Sequence, residues 1–308
     1  MDLGVTVRER DTTPARIVPT VEWLPVWPQR LRPTQILASI VILLGVAVGC
    51  ILAWKAESVV GLIGFAGIGV LCGCGGWLTL RGAGFKWVRI SRRLTGCESK
   101  LYGKGIRVDP EALTMRVLII SMLGSSVYYA AVALTFWSGI EVMLPDSRNS
   151  SPHAIFATVC GVVLAVLAML FSLFRPATGI EIYRDVVIRT VGRQPFVRIG
   201  ADLVVPWASI VDVADAVRLN TTGLWTSRDP LIRLMVREPL DKENRLGWDT
   251  DHYLQLPASW MAAEPNTLIA VLRVMAVSDE SRREILAIRP ETIFMPPPLR
   301  ERIQRSII

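Results

Sequence analysis

Apolar residues fall into four long uninterrupted blocks in this chain, and elsewhere they alternate with polar ones or cluster briefly among charges. Residues 36–54, 59–80 and 154–174 contain no charged side chain, and 117–144 contains one, Glu141, near its far end. At 1.5 Å per helical residue, about 20 such residues cross a hydrocarbon layer about 30 Å thick. The pattern predicts four transmembrane helices, paired as hairpins over 36–80 and 117–174. Residues 1–35 precede them as a polar arm punctuated by Pro14, Pro19, Pro25, Pro28 and Pro33, which predicts an extended chain. Trp23 and Trp27 in that arm are expected at the membrane–water interface, where amphipathic rings are favoured.

Three of the four blocks carry small residues at helical spacing. Gly45 and Gly49 are four apart, as are Gly69 and Gly73, and Ala157, Gly161 and Ala165 continue the ladder on the fourth block. Small side chains on one face let helix backbones approach closely enough for dispersion to hold a bundle in lipid. The expectation is packing within the chain, with association between chains as a second use.

Beyond residue 176 the periodicity shortens to that of strands. Ile180 and Ile182, then Val186 and Ile188, flank an Arg184–Asp185 turn and read as a hairpin. Residues 196–199, 203–207, 231–236 and 253–256 read as further short strands, and Ile210, Val211, Val213 and Val217 as another apolar run. A polar stretch, 237–250, lies between two of them. Pro265, then Leu268, Val271, Leu272 and Met275 at i, i+3, i+4 and i+7, predict a closing amphipathic helix. Antiparallel strands followed by one such helix suggest a small, partly open barrel plugged by the helix. Residues 278–308 read as a basic tail, either a short amphipathic helix on the membrane or an unstructured end.

Charge settles orientation. The segment 81–116 has nine Lys or Arg against Glu98, Asp109 and Glu111, whereas 176–308 has seventeen of each sign, so most of the net +7 sits in one connection. The positive-inside rule puts that basic loop and both termini in the cytoplasm of a multi-pass plasma-membrane protein. Within the loop Lys86, Arg89, Arg92 and Arg93 are candidate contacts for anionic headgroups, worth about 1 kcal/mol per basic residue near the surface. The link from the fourth helix to the first strand is about five residues, which at about 3.5 Å each keeps the domain within about 20 Å of the bilayer. Contact between loop and domain is therefore expected. The balanced charge of the domain argues against nucleic-acid binding.

Candidate chemistry changes the picture little. His153 and His252 fall on opposite sides of the expected membrane, and no GxSxG, HExxH, Walker A or GxGxxG motif is present. Cys72 and Cys74 lack a metal-site spacing and a neighbouring His, so no metal or other cofactor is expected. Asp249, Asp251 and His252 lie together, and a polar loop ahead of a strand accounts for them. The expectation is a protein that is not an enzyme.

The stretch Gly179-Ile-Glu-Ile-Tyr-Arg-Asp-Val-Val-Ile-Arg-Thr resembles the opening hairpin of bacterial pleckstrin-homology-like domains. Val205-Pro-Trp-Ala-Ser-Ile-Val-Asp-Val resembles their following strand, and the helix from Pro265 stands where their closing helix would. The resemblance covers 178–277 and implies an α+β small barrel that binds rather than catalyses. The family's headgroup sites use basic residues of the first loops, which makes Arg184, Arg189, Arg193 and Arg198 candidates for an anionic ligand. The function expected is a membrane protein whose cytoplasmic domain binds or recruits a protein or anionic-lipid partner. An accessory or core subunit of a transport system is the alternative.

Overall fold

The computed structural model describes residues 21–56, 59–87, 91–139, 150–173, 178–192, 201–222 and 225–306, with only the backbone described for 220–222 and 225–227. Four helices are long and apolar enough to cross a membrane: α1 (Pro33–Lys55), α2 (Val59–Gly82), α3 (Leu113–Ser138) and α4 (Ser151–Leu173). Three lie within a few residues of their apolar blocks. The third stops earlier than its block because Gly139 takes a left-handed conformation (φ 67°) and its N–H returns to the Thr135 carbonyl, the usual way glycine ends a helix. Residues 140–149 lie outside the described set.

Each spanning helix packs on its neighbour in sequence, giving the row α1–α2–α3–α4. Glycine sets the closest approaches. A Cβ at Gly49 would stand 3.0 Å from the Gly69 nitrogen, and one at Gly67 only 2.6 Å from the Gly124 carbonyl oxygen. Between α3 and α4 the Ser126 hydroxyl donates to the Gly161 carbonyl at 2.8 Å, and Ala157 is buried against Val132 and Ala133. Of the small residues singled out in sequence, Gly45, Gly49, Ala157 and Gly161 stand at contacts, with a Cβ at Gly45 meeting Cys72 at 2.6 Å. Gly69 serves through its backbone, Gly73 would have ordinary room beside Val46, and Ala165 is half-buried.

The rest of the chain builds two antiparallel sheets. The first runs in the order β1 (Leu94–Ser99), β2 (Gly103–Val108), β3 (Thr178–Tyr183), β4 (Val186–Val191), β5 (Leu203–Pro206). The second is β6 (Ile210–Thr222), β7 (Trp225–Val236), β8 (Tyr253–Pro257). Helices α5 (Pro265–Val277), α6 (Asp279–Ala287), α7 (Pro290–Ile293) and α8 (Leu299–Arg305) follow. The segment read as a basic loop thus carries a hairpin, and contact between loop and domain takes the form of a shared sheet. Ile106 pairs with Ile182 and Val108 with Ile180, so the sheet is continuous across the α3–α4 insertion. Gly105 sits opposite Tyr183, where a Cβ would meet the ring at 2.5 Å. The strand expected at 196–199 lies outside the described residues.

One apolar core joins these parts. Leu94, Ile106 and Val108 from the inserted hairpin, Ile180 and Ile182 from β3, Leu234 and Leu254 from the second sheet, and Leu268, Val271, Leu272 and Met275 from α5 are all buried in it. Each such side chain contributes about 1.5–3 kcal/mol when fully buried. Trp207, from the segment that carries the Pro-Trp motif, is buried there too and donates its indole N–H to the Tyr183 carbonyl at 2.8 Å. The motif therefore locks the end of β3 to the 3₁₀ turn after β5.

Candidate functional site

The last residues of α2, the first of α3 and the last of α4 lead into or out of the two-sheet domain in sequence, and the first turn of α1 lies beside the last of α2. The N-terminal arm lines this junction. Trp23 and Trp27 are docked on the domain, and Trp27 also lines the junction. The Trp23 indole N–H donates to Glu264 Oε2 at 3.0 Å. Trp27 and Asn266 exchange a reciprocal pair, Trp27 N–H to Asn266 Oδ1 at 2.8 Å and Asn266 Nδ2 to the Trp27 carbonyl at 3.2 Å. Glu264 is the N-cap of α5, accepting also from the Thr267 amide (2.7 Å) and hydroxyl (2.8 Å) and, on Oε1, from Asn266 (2.8 Å). A buried carboxylate with four donors beside the positive end of a helix is well satisfied. The sequence cue was Glu-Pro-Asn-Thr ahead of an apolar run, an N-cap pattern whose other half lies some 240 residues upstream.

The arm is held from the other side by the final helix. Arg302 of α8 is 1% exposed, and its guanidinium donates to Gln29 Oε1 (2.7 Å) and to the Trp87 carbonyl (3.0 Å). Burial lowers the pKa of this guanidinium, with Glu264's charge acting in the opposite sense. The Gln29 side chain also donates to the Gly84 carbonyl. Gly84 needs its φ of +116°, and a Cβ there would press on the Arg30 carbonyl at 2.8 Å. The segment after residue 277 is thus made of helices, with Arg302, rather than an apolar face, as the most deeply buried part of α8.

Between the arm, the last turn of α2, the β7 segment Arg228–Asp229–Pro230 and the start of α5 lies a cavity of about 650 Å³. Five cationic side chains line it: Arg30, Arg32, Arg81, Lys86 and Arg228. Facing them are Glu264, engaged as above, and Asp229, which lies near Lys86. Arg81 is paired with Glu111 at 3.2 Å. Burial lowers the Lys86 ammonium below its usual range, and the Arg81 charge adds to the effect. Trp87, which lines the cavity, has a φ of +50°, rare and costly for a bulky side chain. Trp87 Nε1 and Ser259 Oγ are buried cavity-lining groups without a hydrogen-bond partner among the described residues.

The basic residues singled out in sequence divide. Lys86 lines the cavity, whereas Arg93 donates to the Pro110 carbonyl at 2.8 Å and Arg92 is exposed. Arg184 makes a bidentate pair with Asp279, both contacts 2.8 Å, and this holds the Asp279 carboxyl down to about 2. Arg189 is a correction to the headgroup reading: it is wholly buried, paired with the equally buried Asp249, and donates to the Asn244 carbonyl at 2.6 Å. Its charge is spent inside. Arg89, Arg193 and Arg198 lie outside the described residues. Arg30, Arg32 and Arg228 were missed because the first two lie almost 200 residues before the third and only the fold brings them together.

Other polar groups form closed structural networks. Asp249 also accepts the Leu246 and Gln255 amides, Asp251 pairs with Arg245, and His252 lies against the Val236 carbonyl at 3.3 Å. At the β2–β3 seam, Tyr183 donates to Glu181 at 2.8 Å and receives the Cys97 thiol at 3.6 Å, while Arg107 Nε donates to Glu181 at 2.9 Å. Burial raises the pKa of both the Cys97 thiol and the Tyr183 phenol, so both stay protonated. No family model, curated protein or solved structure matches this chain. The fold and the junction therefore define only a class, a membrane protein with four candidate spans and a two-sheet domain sharing one end.

Proposed function

We propose that this chain is a non-enzymatic multi-pass protein of the cell membrane whose cytoplasmic, pleckstrin-homology-like domain binds a protein or anionic-lipid partner at the inner face. The observation that carries the reading is a module of two antiparallel sheets closed by α5, whose first sheet joins strands from before α3 and after α4. The β3–β4 hairpin, the Trp207 motif and the closing helix support the pleckstrin-homology-like assignment. The departure is that β1 and β2 come from the connection before α3, so the resembling segment holds only part of the fold. The nine basic residues of 81–116 support a cytoplasmic domain. Buried charges committed to structural pairs, Arg189 with Asp249 above all, favour binding over catalysis.

The test is in-cell photocrosslinking of the full chain with a reactive residue at exposed positions. Leu101 in the β1–β2 turn reports on the domain, and Trp54 near the far end of α1 reports on the spans. Adducts formed at Leu101 and at other domain positions support the module. Adducts formed only at span positions move the function into the helices.

A further inference from the structure

The cavity at the junction has the makings of a ligand site, and resting on the reading above we propose that it binds the phosphate of an anionic phospholipid headgroup.

Its position comes first. Pro33, the first residue of α1, and Arg81 and Gly82, in the last turn of α2, are part of its wall. The uncharged stretch of α1 begins at residue 36 and that of α2 ends at residue 80, so the cavity opens at the depth where hydrocarbon gives way to headgroups. A soluble ligand would have no need of that depth. Its size, about 650 Å³, falls in the range of small-molecule sites, about 300–1,000 Å³.

Its chemistry is that of an anion receptor. Against five cations stand Asp229, Glu264 and the Glu111 partner of Arg81, which leaves positive charge in excess. Arg30, Arg32 and Arg228 make no ion pair among the described residues, and all three are exposed. Guanidinium forks match phosphate oxygens in bidentate fashion. Trp87 and Ser259 also line the cavity, and their Nε1 and Oγ atoms, buried behind its surface, have no hydrogen-bond partner among the described residues. The unfavourable φ of Trp87 is held by the Arg302 bond to its carbonyl, so the fold sustains strain at this wall. An incoming phosphate would also stabilise the buried Lys86 ammonium.

Native mass spectrometry of the full chain tests this, with phosphatidylglycerol and phosphatidylcholine as probes titrated into detergent-solubilised protein. The unmodified chain is expected to retain phosphatidylglycerol in preference to phosphatidylcholine. The double variant R32Q/R228Q is expected to lose about tenfold or more of that affinity, and R30Q, at an exposed position, to lose part of it should the double variant fail to fold. The control R92Q/R300Q removes the same charge at exposed positions outside the cavity and is expected to stay within about twofold of the parent. Equal losses in the cavity and control variants would show diffuse attraction and overturn the site, as would no loss in either cavity variant. Displacement of the lipid by glycerol phosphate at equal affinity would overturn the lipid assignment in favour of a free phosphate ester. Loss of lipid selectivity with the Leu101 crosslinks intact would remove this site and leave the binding module standing.

Discussion

Single residues show how a charge can be read wrongly from sequence. Arg189 follows three apolar residues on β4 and precedes Thr190, the look of a strand turning to solvent, yet it is fully buried. The partner that makes this tolerable is Asp249, in a polar stretch with no periodicity of its own. A buried guanidinium with its carboxylate removed keeps its desolvation cost and loses its compensation. Asp249→Ala is therefore expected to destabilise the domain by about 3–5 kcal/mol. The double change R189M/D249L should cost clearly less than the single one, because no charge is left stranded. Denaturant melts of the parent and both variants check this, and a double variant as unstable as Asp249→Ala would show that the pair is not the cause. Trp23 and Trp27 add to this, since an indole N–H suits a buried carboxylate (Glu264) or a backbone carbonyl (Ala216) as well as it suits a lipid interface.

At the level of elements, regular patterns were legible and interrupted ones were not. Four apolar blocks gave four helices, and the β3–β4 hairpin, β8 and α5 lie close to where alternation and spacing put them. Strands β1 and β2 went unread because Gly96, Gly103 and Gly105 interrupt their alternation, and because their partner β3 lies on the far side of two spanning helices. The cavity was equally out of reach, as Arg30, Arg81 and Arg228 share no local pattern. Glycine at four-residue spacing located much of the α1–α2 contact but not the α2–α3 contact, where Gly67 and Gly124 stand against each other with Val70 and Tyr128 beside them. A methyl at Gly67 would stand 2.6 Å from a backbone oxygen, and backbone cannot swing aside as a side chain can. Gly67→Ala is expected to push α2 and α3 apart. Its measure is a lower melting temperature in detergent together with a lengthened distance between spin labels on the two helices. Gly69→Ala, with open space at its Cβ, should leave both nearly unchanged.

The whole molecule cannot be divided where its hydropathy suggests. Residues 178–308 look like a free-standing domain, but the core they enclose also needs Leu94, Ile106 and Val108, and β3 needs β2 along its edge. Expressed alone, that segment is expected to be insoluble or loosely packed, since an open apolar strand edge invites association. A chain beginning at residue 21, in which short glycine–serine linkers replace 33–82 and 113–173, keeps the docked arm and should restore soluble yield and dispersed amide resonances. A well-folded 178–308 fragment would contradict the shared sheet.

That shared sheet also imposes an order of events during synthesis. The first hairpin of strands leaves the ribosome some 70 residues before its partner β3, about 4–14 s earlier at ordinary translation rates. Two strands alone are marginally stable in water, so β1 and β2 wait while α3 and α4 are made and enter the bilayer. Only then can β3 close on β2. A completed sheet is thus a record that the second helical hairpin has been made in full, and a chain that stops short of β3 carries an open strand edge.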